Sequence, residues 1–245
     1  RSGAASAGML GVFGLDFWYQ QGPLLMLIPI GYLIASRLWR DRSPERPLGW
    51  VAHAATAIIL FHVGIGVIAS MESLESVFRP PVGQLANLLL GITLLEAAVF
   101  YVLAAYFRRK SLNVYFAMIC VCAGLWELMG YTGFFAAPYY TMVYALLGLS
   151  FLVIARLLGI ESATFYETYG NQTERIHGKG LSAYQGGNAV VMVAFLAAVL
   201  QALARLAAQR PVELLPVAAL VITTGVSIVA IWLVPRGGWR RLYVT

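Results

Sequence analysis

Charge is what this sequence has least of. Asp, Glu, Lys and Arg together make up 11% of its 245 residues, where soluble domains carry about 25%, so most of the chain has no means of facing water. Cysteine is nearly missing as well. Cys120 and Cys122 fall in one apolar stretch, about 200° apart around a helix, which excludes a disulfide between them and leaves no cysteine pattern that would hold zinc. Histidine is confined to His53, His62 and His177, and lysine to Lys110 and Lys179. A bis-histidine haem needs two imidazoles facing each other at one depth. His53 and His62 point about 180° apart on a helix, and His177 falls in a loop, so that arrangement is not available.

What is present is apolar length. Hydrophobic residues form 60% of the chain and gather in runs of about 20, the length a helix needs to cross a hydrocarbon layer of about 30 Å. Seven spans are predicted, at roughly 22–39, 49–71, 84–107, 112–134, 138–158, 187–208 and 213–234, which makes the fold class all-α, a polytopic transmembrane helix bundle. Residues 1–21 read as an N-terminal interfacial segment, because Asp16 stands beside Phe17, Trp18 and Tyr19 and such rings favour the headgroup layer; an early start of a tilted first span is the other reading. Residues 22–245 read as a single bundle with no internal repeat of clear period. The start at Arg1, with no methionine, is read as the mark of a cleaved product or a piece of a longer protein.

The net charge of +6 and pI near 9.5 do not point to nucleic acid, because the basic residues sit at the ends of the apolar runs and not along one amphipathic face. They act as topology signals. Of the 17 Lys and Arg residues, all but Arg1, Arg79, Arg205 and Arg210 fall on one side of the predicted spans. The positive-inside rule assigns that side to the cytoplasm, which puts the N-terminus outside and the C-terminus inside, in a bacterial inner membrane or an equivalent bilayer. One connection is long, about 158–186 on the cytoplasmic side. Its first half can extend the fifth helix, and the glycine-rich stretch from His177 to Gly187 is read as breaking it. Asn171 heads an Asn-Gln-Thr sequon, but the predicted topology keeps it inside and unglycosylated. Arg205 and Arg156 close helices near the interfaces and are read as snorkelling, with an anionic ligand for Arg205 as the alternative.

Ionisable groups near mid-depth in a bilayer cost about 2.5–3.5 kcal/mol on insertion scales, so each requires a partner or a purpose. His62, Glu96 and Glu127 stand out as a proton relay or ligand set. Asn113, Cys120 and Glu127 recur every seven residues, with Ala117, Gly124 and Tyr131 on the same side; this small, polar stripe is expected to face neighbouring helices. His62 shares a stripe with Ala55, Gly66 and Ala69, and Glu96 lies one turn from Thr93. Asn113, Thr93 and Tyr131 are the expected polar lining. If spans two, three and four are neighbours, as their short connections favour, the imidazole and the two carboxylates meet and share protons. Local hydrogen bonding of each group by itself is the competing reading, and no metal site is expected.

Seven spans with an outside N-terminus are also the architecture of rhodopsins, whose retinal Schiff base needs a lysine in the last span; the segment 213–234 holds none. The sequence names no cofactor and no catalytic set. The expected function is therefore a non-catalytic integral membrane module of a larger protein or complex: a sensor, anchor or assembly subunit whose partners are membrane lipid and other membrane subunits or flanking domains, with no nucleic acid. The alternatives are a proton-coupled transporter or channel using His62, Glu96 and Glu127, and a membrane-embedded enzyme acting on lipid through His177 and Glu174.

Overall fold

The structure, a computed structural model, describes residues 15–40, 42–70, 85–108, 110–134, 136–158, 166–169, 172–175, 180–209, 211 and 213–233. Seven helices account for nearly all of them: α1 (Leu15–Leu38), α2 (Glu45–Ser70), α3 (Leu85–Arg108), α4 (Ser111–Thr132), α5 (Ala137–Leu157), α6 (Leu181–Ala207) and α7 (Leu214–Leu233). Each is long and apolar enough to cross a membrane, so the protein is a seven-span, multi-pass helical membrane protein. Residues 1–14 of the expected interfacial segment lie outside the described residues. Asp16 to Tyr19 belong to the first turns of α1, ahead of its span-length apolar stretch Gln21–Leu38.

Several buried polar side chains are satisfied by their own helix, which a span in lipid favours. Thr56 Oγ1 donates to the Ala52 carbonyl (3.0 Å), Thr223 Oγ1 to Ala219 (2.8 Å), and Asn188 Nδ2 to Tyr184 (2.8 Å), all buried and all within one helix. Helix ends follow local chemistry. Gly133, with φ 83°, takes the left-handed conformation that only glycine adopts freely, and α4 closes with the Gly133 N–H on the Gly130 carbonyl (3.3 Å) and the Phe134 N–H on that of Met129 (3.2 Å). Pro138 opens the first turn of α5, where a missing N–H costs nothing.

The chain divides into two compact units, Arg1–Phe135 and Ala136–Thr245. In the first, α1 packs along α2 and α3, and α3 along α4. Met26, Leu33, Ala52, Ile59, Val63, Leu90, Ala97, Phe100, Ala104 and Cys120 form its core. Close approach of α3 to α4 rests on two glycines: a Cβ on Gly91 would stand 3.2 Å from the Gly124 carbonyl oxygen, and one on Gly124 3.1 Å from that of Gly91. In the second unit α5 packs along α6, and α7 lies against both. Here Gly148 and Gly187 meet in the same way, each added Cβ falling 3.0 Å from the other's carbonyl oxygen.

The long connection departs from expectation. Its first half is not a helical extension: Tyr166–Tyr169 (β1) and Gln172–Arg175 (β2) pair as a short antiparallel hairpin, with Tyr169 opposite Gln172. Aromatic and β-branched residues such as Tyr166, Thr168, Tyr169 and Thr173 favour strands. The glycines at 186 and 187 are not a break either. α6 begins at Leu181 and runs through them, because Gly187 is a packing glycine against Gly148.

Candidate functional site

The stripe read on the fourth span does face inward at one end. Asn113, Ala117, Cys120 and Gly124 are buried, while Glu127 and Tyr131 are half-buried. Asn113 Nδ2 is buried without a hydrogen-bond partner among the described residues. Thr93 is buried on α3, where its Oγ1 donates to the Leu89 carbonyl at 2.8 Å; Gly22 of α1 leaves it room, since a Cβ there would stand 2.6 Å from that oxygen.

The three ionisable groups each have a separate setting. His62 is half-buried, its Nδ1 within 2.8 Å of the Ile58 carbonyl one turn back, its ring edge-on to Phe61. That contact is met by the tautomer in which Nδ1–H donates. Glu96 is half-buried on α3, and its Oε2 is buried with no hydrogen-bond partner among the described residues. Glu127 is half-buried on α4. Gly91 and Gly124 fix the register of these two antiparallel helices. Glu96 follows Gly91 toward one end and Glu127 follows Gly124 toward the other, so at 1.5 Å per residue their backbone positions lie roughly 12 Å apart along the axis. α2 reaches α3 at the arginine-rich end, where His53 stands edge-on to Phe100 at 5.2 Å and Arg108 lies over Gly49. His62 is roughly two and a half turns further along α2 than that contact.

Elsewhere the candidates disperse. Among the described residues no group of three His, Cys, Asp or Glu side chains could hold a metal ion. Glu174 stands opposite Glu167 in the hairpin, and His177 lies outside the described residues. Arg205, in the last turn of α6, forms an ion pair with Glu213, just before α7, Nη1 to Oε2 2.9 Å.

The feature that sequence reading passed over is a cleft. Glu45, Arg46 and Trp50 at the start of α2, Phe107 and Arg108 at the end of α3, and Lys110 at the N-cap of α4 line a cavity of about 280 Å³. In the sequence these cations serve only to orient the spans; the signal that sets them apart is Gly49, which is needed only once Arg108 is known to lie across it.

No protein-family model, curated protein or solved structure matches the chain.

Proposed function

We propose that this membrane protein is the embedded, non-catalytic module of a larger protein or complex, acting as sensor, anchor or assembly subunit in a bacterial inner membrane or an equivalent bilayer. The observation that carries this reading is the separation of the span-interior ionisable groups. His62 is engaged by its own helix, and Glu96 and Glu127 are attached at different levels of the α3–α4 pair. Groups so dispersed support local structural roles better than one shared reaction centre. Lipid and other membrane subunits or flanking domains are the partners this reading calls for. Extraction into lipid nanodiscs from native membranes, followed by native mass spectrometry, tests it: a larger assembly is expected, and a lone chain encoded without flanking domains overturns it.

One observation favours a second reading, a proton-conducting path. Glu96 Oε2 is buried with no partner among the described residues, and an intramembrane carboxyl is a recurrent element of proton relays. In that reading water bridges Glu96, Glu127 and His62. Proton flux into liposomes is then expected to fall on Glu96→Gln, on Glu127→Gln and on His62→Ala; flux unchanged in all three removes it.

A further inference from the structure

Three segments of the first unit converge on the cleft at its arginine-rich end, and they bring more positive charge than the lipid-facing ends of helices require. Among the described residues, Arg46, Arg108 and Lys110 line the cavity with one acid, Glu45. A fourth cation, Arg37, stands over the Phe107 ring at 5.7 Å from its centre, within cation–π range. Snorkelling alone would send each cation outward into water. Arg108 instead is half-buried, with its guanidinium laid across buried Gly49 where any Cβ would collide with it. The backbone of α2 is thus shaped to seat that guanidinium, which keeps two-pronged donors at the cavity wall.

The cavity's surroundings say where it sits. Trp50, which lines it, is 73% exposed, and Tyr106 one residue before Phe107 is 77% exposed. Amphipathic rings at a span end mark the headgroup layer. A volume of 280 Å³ is many times the roughly 30 Å³ of a water molecule and accommodates a phosphate with its glycerol. We propose that this cleft binds the phosphate headgroup of an anionic phospholipid, with Arg46, Arg108 and Lys110 on the phosphate oxygens and Trp50 against the glycerol region. A zwitterionic headgroup fits less well, because its ammonium would be brought among three cations. Basic pockets between span ends are a recognised form of lipid recognition. The site stands whether or not the assembly reading above holds.

The test uses the full chain in nanodiscs of phosphatidylcholine mixed with phosphatidylglycerol, with retained lipid counted by native mass spectrometry after transfer to detergent. The wild type is expected to retain phosphatidylglycerol about tenfold over phosphatidylcholine, equivalent to about 1.4 kcal/mol. The preference is expected to fall to near parity in Arg46→Gln/Arg108→Gln/Lys110→Gln. Gly49→Leu keeps every charge but unseats Arg108, and it is expected to lose most of the preference too. Arg46→Gln/Lys110→Gln alters only exposed side chains, so it remains informative if the triple variant fails to fold, and Arg156→Gln in the second unit is expected to leave the preference unchanged. Equal retention of the two lipids by the wild type overturns the proposal, as does an equal loss in Arg156→Gln. Displacement of the lipid by millimolar inorganic phosphate would assign the cleft to a soluble anion and overturn the lipid assignment.

Discussion

In the first unit α3 and α4 cross where Gly91 meets Gly124; in the second, α5 and α6 cross where Gly148 meets Gly187. The likeness extends along the helices. Four residues after each glycine comes the side chain that covers the opposite one: Leu95 on Gly124, Leu128 on Gly91, Leu152 on Gly187 and Val191 on Gly148. Two residues after the first glycine of each pair a hydroxyl returns to its own helix, Thr93 to the Leu89 carbonyl at 2.8 Å and Ser150 to that of Leu146 at 2.9 Å. Cys120 and Ala183, four residues before the second glycines, are both buried. Set in this register, Glu96 corresponds to Val153 and Glu127 to Val190. The second unit places apolar side chains where the first places carboxyls, and its spans hold only Arg156 and Arg205, both in last turns. One packing device therefore serves twice, while among the described spans the carboxyls and the basic cleft are found in the first unit. The carboxyls are not demanded by the crossing itself.

The largest expected effect separates the two crossings. A Cβ on Gly148 would stand 2.8 Å from the Val191 amide nitrogen and 3.0 Å from the Gly187 carbonyl, backbone that cannot turn aside. Gly148→Ala is expected to lose about 2–3 kcal/mol of stability, against about 1 kcal/mol for Gly91→Ala, whose nearest obstacle is the Leu128 side chain at 2.9 Å. Equal losses in thermal unfolding from micelles would break the distinction between a backbone and a side-chain contact.

Next comes the exchange of chemistry at a matched position. Glu96→Val gives α3 the residue that α5 carries, and removing a half-buried carboxyl whose Oε2 has no partner among the described residues is expected to stabilise the first unit by about 1–2 kcal/mol. A lower unfolding midpoint in that variant would show that Glu96 is tied into the packing.

In the second unit, Asn188 is fully buried beside Gly187 where the first unit has Leu125. Asn188→Leu is expected to cost about 0.6 kcal/mol, the usual worth of a hydrogen bond between groups within a membrane protein; a loss several times larger would mean that the amide joins helices together. The smallest effect belongs to Arg205→Gln. Its ion pair with Glu213 is partly exposed, and the expected change is about 0.5 kcal/mol or less, fading with salt. A salt-independent loss in the unfolding midpoint would contradict that.

The spans were legible because lipid sets a length that apolar runs must meet, and all seven end within two residues of the helices seen. The starts of α1 and α6 differ most, at Leu15 against 22 and at Leu181 against 187. Gly186 and Gly187 have the composition of a loop, and only the presence of Gly148 opposite shows that they belong to a close crossing. The hairpin was missed for a related reason: Tyr166–Tyr169 and Gln172–Arg175 are too short for periodicity to separate strand from helix. The repeated crossing was also invisible as a period. Gly91 to Gly148 and Gly124 to Gly187 are unequal intervals, because the connection between α5 and α6 is longer than that between α3 and α4.

Composition and the placement of arginine settled that seven helices traverse a bilayer, since the transfer cost of polar groups acts on each segment independently of its neighbours. Which helices touch, and at what level, was decided only in three dimensions. Register along a helix pair depends on where two backbones can approach, and that is a property of residues far apart in the chain. So the acids of α3 and α4 could be recognised as costly from their position alone, but their separation, and the seating of Arg108 over Gly49, came from packing.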